Sequence, residues 1–214
     1  MVNNLHNYFN GKDKVSSRRM QGKRMLADYD NCKLELNKEI PLLFAVYGEA
    51  LEKTNKVLSL LPPHCRSRSL EASIIQSCFA ESLLENFRDK AFFGKYRRLI
   101  LRVKGYLILF KKLDRKGYPM NIKTVNVQSI LNQNQTLDLF SESDYRDDPI
   151  LYFGYKKNKV GEYVDPQLIY IDESNIKFSI TGDDISANLP TILKEGRREV
   201  KPTLKEKSTL KKIS

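Results

Sequence analysis

Two periodicities divide the chain. From about Lys38 to Leu61 the apolar residues Ile40, Leu43, Phe44, Tyr47, Leu51, Val57, Leu58 and Leu61 recur mainly at spacings of three and four, the pattern of an amphipathic helix. Pro41 fits its first turn, and Pro62 and Pro63 end it. A second helix is predicted from Ser69, as N-cap, to Gly94 through Leu70, Ile74, Ile75, Cys78, Phe79, Leu83, Phe87 and Ala91. The two are expected to pack as an antiparallel pair.

Beyond Gly94 the period shortens. Leu99 to Val103 and Tyr106 to Leu113 read as strands joined at Lys104-Gly105, where the glycine supplies a positive φ. The run Asp114-Arg115-Lys116-Gly117 is a second turn, leading through Pro119 to a short strand at Asn121–Lys123, and Thr124 caps a helix from Val125 to about Gln133. Further strands are predicted at Ile150–Lys156, Leu168–Ile171 and Ile176–Ile180, the last two around the turn Glu173-Ser174-Asn175. The fold class is α+β: an N-terminal helical hairpin packed with a small, mainly antiparallel sheet that carries one inserted helix. Residues 1–36 are expected to be a basic, weakly structured or partly helical segment, 37–94 the helical hairpin, 95–190 the β-rich domain and 191–214 a basic tail.

A chain of 214 residues with 41% hydrophobic content can bury an ordinary core, so disorder throughout is excluded. No apolar run approaches the ~20 residues of a membrane span, and the asparagine-rich first ten residues offer no apolar stretch of signal-peptide type. The chain is therefore expected to be cytoplasmic and to have no membrane partner. Cys32, Cys65 and Cys78 are odd in number and widely spaced, which suits neither a disulfide framework nor a zinc pair. No cofactor or metal is expected.

Charge changes the picture more than composition does, because the formal +11 is segregated. Residues 1–36 carry a net +3, 37–94 are neutral, 95–123 carry +9, 124–190 carry −6 and 191–214 carry +5. The +9 block falls on the first hairpin and its turn. Strand alternation sends Arg98, Arg102 and Lys104 to the face opposite Leu99, Leu101 and Val103, so one surface would collect positive potential beside Tyr96, Tyr106 and Tyr118. Such a surface suits phosphates, with tyrosines available to stack on exposed bases. The candidate nucleic-acid-binding residues are Arg97, Arg98, Arg102, Lys104, Lys111, Lys112, Arg115, Lys116, Tyr118 and Lys123. The competing reading is that the acidic segment folds over this block and cancels its field.

His6 and His64 are the only histidines, so no imidazole lies beyond residue 64. A two-histidine acid–base nuclease cannot be assembled in the β-rich half. The sequence has no GxxxxGK[ST], GxGxxG or HExxH motif, which removes the common nucleotide-hydrolase, dinucleotide-binding and zinc-protease classes. Phosphate-ester chemistry, if the chain performs any, would be histidine-independent, with Glu, Tyr or Lys moving the proton and Arg or Lys stabilising charge. The acidic groups Asp144, Asp147 and Asp148, and Asp165, Asp172 and Glu173, lack a defined ligand pattern for a metal.

The run from Lys111 to Thr124, KKLDRKGYPMNIKT, followed by Gln128 and by Phe153-Gly154-Tyr155, resembles small bacterial proteins of toxin–antitoxin or phage-defence gene pairs. The resemblance covers about 70 residues from Arg97 to Asp172. It implies a toxin-like intracellular effector acting on or near nucleic acid, with an antitoxin protein and RNA or DNA as partners. The alternatives are a non-catalytic RNA- or DNA-binding module, or a partner-binding regulatory protein whose helices present Tyr47, Phe87, Phe92 and Phe93.

Overall fold

The computed structural model describes residues 22–135 and 147–186. The expected tail at 191–214 and most of the N-terminal segment lie outside these residues. Five helices are named here: α1 (Tyr29–Glu35), α2 (Glu39–Ser59), α3 (Arg68–Phe87), α4 (Val125–Leu131) and α5 (Gly182–Ser186). Six strands, β1 (Ala91–Gly94), β2 (Arg98–Val103), β3 (Tyr106–Lys112), β4 (Ile150–Lys157), β5 (Tyr163–Asp172) and β6 (Asn175–Thr181), form one sheet in sequential order. The α+β class is as expected. No helix of the described residues is long and apolar enough to cross a membrane.

The long helices follow their apolar stripes. Ile40, Leu43, Val46, Tyr47, Ala50 and Leu58 are buried along α2, and Ile75, Phe79, Leu83 and Phe87 along α3. Opposite charges tie the pair together at the surface, where the Lys53 ammonium lies 3.0 Å from Glu49, 3.4 Å from Glu81 and 3.0 Å from Glu85. Two sequence expectations are corrected here. The N-cap of α3 is Ser67, whose hydroxyl accepts from Leu70 N–H, and not Ser69. The helix also ends at Phe87 and does not reach Gly94, because Arg88 takes a left-handed backbone (φ 48°) that the helix cannot continue through. Residues 91–94 then pair with 98–101 as edge strand β1.

The β2–β3 hairpin is as predicted, closed by Lys104 and Gly105 at φ 50° and 78°, the two positive values of a type I′ turn. Strand β3 pairs with β4 in parallel, register Leu107↔Ile150 to Lys112↔Tyr155, whereas every other strand pair is antiparallel. The short strand expected at Asn121–Lys123 is absent: those residues cross the sheet as irregular chain toward α4. Helix α4 starts at Thr124 as predicted, its hydroxyl accepting from Val127 N–H. Strand β5 begins five residues earlier than expected, and Pro166 is accommodated within it.

Both faces of the sheet are covered. On one, Leu99, Leu101, Ile108, Leu151, Phe153, Leu168 and Tyr170 pack with Leu43, Tyr47, Phe79 and Leu83 of the helical pair. The expected helical and β-rich segments thus share one core. On the other face, Ile100, Leu107, Leu109, Tyr152, Ile169 and Ile171 pack with Leu113, Tyr118, Ile130 and Leu131 of the crossover. Gly154 admits this layer, since any Cβ there would clash with the buried Leu113 side chain.

Gln133 holds the crossover to the sheet. Its fully buried amide donates to the carbonyls of Ile150 (2.9 Å) and Ile171 (2.7 Å) and accepts from Ile150 N–H (2.9 Å). Gln133→Leu would leave these buried backbone groups unpaired, and a loss of about 2–4 kcal/mol of unfolding free energy is expected in urea denaturation. The cysteines should separate in thiol labelling. Cys32 is buried, with its thiol pushed up to about 12 by that burial, and Cys78 is buried, whereas Cys65 is exposed in the interhelical turn. Cys65 alone of the three should react rapidly at neutral pH in the folded protein.

Candidate nucleic-acid interface

The strand directions give the sheet two chemically different ends. At one end lie the 104–105 turn, the start of β4, the end of β5 and the β5–β6 turn. Asp147, Asp148, Asp172 and Glu173 gather there and are engaged. The chain at 22–25 runs across this end, with Arg24 N–H bonded to Gln133 O and Met25 N–H to Asp147 O. Lys23 reaches Asp172 at 2.8 Å, the buried Arg24 guanidinium donates to Asp148 O at 3.0 Å, and Arg102 pairs with the Asp148 carboxylate at 3.0 Å. Burial lowers the Arg24 pKa to about 10 despite the nearby carboxylates.

The opposite end collects cations. The β1–β2 connection, the start of β2 and the end of β3 bring together Lys95, Arg97, Arg98, Lys111 and Lys112. Continuing the Ile100↔Leu109 register places Arg98 opposite Lys111 on one face. Neither is in an ion pair with a carboxylate among the described residues. Burial, and then the positive charge of Arg98, lowers the Lys111 pKa. A half-buried ammonium beside a guanidinium is an arrangement that an incoming anion relieves.

Next to these cations a cleft of about 340 Å³ opens between α3 and the β2–β3 hairpin. Phe79, Leu99, Phe110 and Tyr155 line it on the helical face with Arg97 and Lys112 at its rim, whereas strand alternation sends the Arg98 and Lys111 side chains to the other face, that of Ile100 and Leu109. The rings of Phe79 and Phe110 meet edge-to-face at 4.8 Å.

The ten candidate residues therefore do not share one surface, which corrects the expected distribution of the block. Arg97, Arg98, Lys111 and Lys112 gather at the cationic end, Arg97 and Lys112 at the rim of the cleft and Arg98 and Lys111 on the other face of the same strand ends. Arg102 is engaged at the acidic end, and Lys104 is exposed in the turn at that same end. Arg115 and Lys116 project from the turn at 114–118, which Asp114 organises by accepting from the Lys116 and Tyr118 N–H groups at 2.8 and 2.9 Å. Tyr118 packs against the second core, and Lys123 lies on a separate groove with Met120, Ile122 and Gln128. Tyr106 is buried on the helical face, away from the cations of β2. The physical reason is the second layer: the face carrying Arg98 and Arg102 also carries Ile100, which is fully buried under the crossover.

Phe93 was legible only as a helix residue, yet it stands 44% exposed on β1 beside the cleft. The signal for it was the short apolar run 91–93 stopped by Gly94. Of the other aromatics expected on the helical pair, Tyr47 and Phe87 are core residues and Phe92 packs against the second core. Among the described residues, no group of three or more His, Cys, Asp or Glu could hold a metal ion. The fold and this end of the sheet define an α+β protein with a cationic, aromatic-lined cleft. No family model, curated protein or solved structure matches the chain.

The uncompensated Lys111 charge also bears on stability. Lys111→Met keeps the packing stem and removes the uncompensated charge, so the urea midpoint of unfolding should rise. The folded-state pKa is depressed below the ordinary 10.5, so the cost is fully present below the folded value and relieved as pH rises toward 10.5. The gain from Lys111→Met should shrink accordingly at alkaline pH.

Proposed function

We propose that this chain is a toxin-like intracellular effector of a bacterial toxin–antitoxin or defence pair, acting on nucleic acid through the cationic end of its sheet. The observation that carries the nucleic-acid reading is the cluster Arg97, Arg98, Lys111 and Lys112 at one end of the sheet, with no carboxylate in an ion pair with any of them among the described residues. Phosphate oxygens supply the charge that this cluster lacks. In support, Asp148 and Asp172 of the acidic segment pair with Arg102 and Lys23 at the far end, and Asp165 beside the cationic end pairs with Lys156 and not with this cluster. The gene-pair reading rests on the resemblance of residues 97–172.

A second reading, a nucleic-acid-binding module without chemistry, is favoured by the side chains around the cleft, which include Arg, Lys and Tyr but neither carboxylate nor imidazole. Incubating purified protein with labelled RNA and DNA separates the two, since cleavage or modification of the bound strand requires the effector reading.

Expression of the chain alone should arrest growth. Arg97→Glu with Lys112→Glu, both exposed positions, should relieve the arrest, whereas Arg115→Glu with Lys116→Glu, in the separate turn, should relieve it less. Binding should weaken by at least about tenfold between 50 and 200 mM salt if three or more phosphates are contacted. Normal growth at high soluble expression, or affinity indifferent to salt, would overturn the proposal.

A further inference from the structure

Resting on that reading, we infer that the cationic end takes single-stranded nucleic acid, with an unstacked base held by the aromatic side chains of the β1–β2 connection and the adjoining cleft. Three independent features converge there. Tyr96, in the turn, is 76% exposed and Phe93, on β1 just before it, is 44% exposed, so two large aromatic rings stand in water close together in the chain. Each is flanked by a cation: the Lys95 ammonium lies 5.4 Å from the Tyr96 ring centre, and the Arg97 guanidinium 5.8 Å from that of Phe93. Rings interleaved with cations are what a single strand engages, bases stacking on the former and phosphates meeting the latter.

The backbone is committed to this display. Tyr96 and Arg97 both adopt left-handed conformations, at φ 62° and 54°, although neither is glycine or asparagine. The two residues turn the chain between Gly94 and Arg98, which pair in the sheet, and the turn leaves both side chains exposed. The third feature is the cleft itself, about 340 Å³, with the aromatic side chains of Phe79, Phe110 and Tyr155 along its walls and Arg97 and Lys112 at its rim. That volume lies within the range of pockets that bury a small planar group. A paired duplex keeps its base faces stacked inside and offers only its backbone, so the rings would contribute nothing to duplex binding.

The test uses the full chain and short fluorescein-labelled oligonucleotides read by anisotropy: oligo-uridine, oligo-thymidine and a mixed-sequence duplex of equal length. Single strands should bind at least about tenfold more tightly than the duplex. Tyr96→Asn, which suits the left-handed backbone, should weaken single-strand binding by roughly 5- to 100-fold and leave duplex binding unchanged, and Tyr96→Phe should restore it. Lys111→Gln should weaken all arms and reduce the salt slope by about one. Tighter binding of either single-strand arm supports the inference and identifies the sugar. Equal binding of duplex and single strand, or indifference to Tyr96→Asn with the fold intact by circular dichroism, overturns it while leaving the proposed function standing. Failure of every arm to bind overturns both.

Discussion

The parallel pairing of β3 with β4 is the constraint on which the rest of the structure depends. Antiparallel neighbours can be joined by tight turns, but these two strands require a crossover, and the chain from 113 to 149 supplies it. The pair is apolar on both sides: residues 106–109 and 150–154 are buried without interruption. Two covering layers follow. The helical pair α2–α3 closes one face, and the crossover with α4 closes the other, admitted at Gly154 and held by the three hydrogen bonds of Gln133.

Covering both faces removes the flat exposed surface on which a basic hairpin would ordinarily display its charges. Cations survive only where the layers stop, at the ends of the strands. Strand direction then sorts them. The starts of β3 and β4 and the end of β5 share one end, and the acidic residues that flank them bind Lys23, Arg24 and Arg102 and so fasten the chain at 22–25 across the sheet. The other end receives the start of β2 and the end of β3, whose flanking residues are Arg97, Arg98, Lys111 and Lys112. The same register that builds the core thus gives the sheet a neutralised end and an unneutralised one.

Much of this was legible from local pattern. The stripes of α2 and α3, the Lys104-Gly105 turn, the Thr124 cap and strands β2, β3, β4 and β6 follow from periodicity and turn chemistry that act over a few residues. What was not legible depended on long-range pairing. Residues 91–94 continue the apolar pattern of α3, and only their pairing with 98–101 makes them a strand. Alternation correctly placed Arg98 and Arg102 on one face of β2, but Ile100 between them was the sign that this face is covered, and alternation alone does not say by what. Arg102 could not be separated from its neighbours without knowing that Asp148, 46 residues away, ends beside it.

The cationic end differs from the acidic one in the direction of its energetics. At the acidic end the charged side chains have partners: Asp172 has Lys23, Asp148 has Arg102, and the Gln133 amide bonds three backbone groups. At the cationic end the unusual features share no such account. Arg98 and Lys111 repel one another, Lys111 is held partly out of water, and Tyr96 and Arg97 keep strained backbones while their side chains stay exposed. Each lowers the stability of the isolated fold, and all occur within one connection and one strand pair. On the proposed reading, the ligand that answers the unpaired charge and the exposed rings together is anionic and offers flat apolar surface to the rings. That joint requirement is narrower than the net charge of the chain, and it is the one that the proposed binding of unpaired bases would meet and a stacked duplex would not.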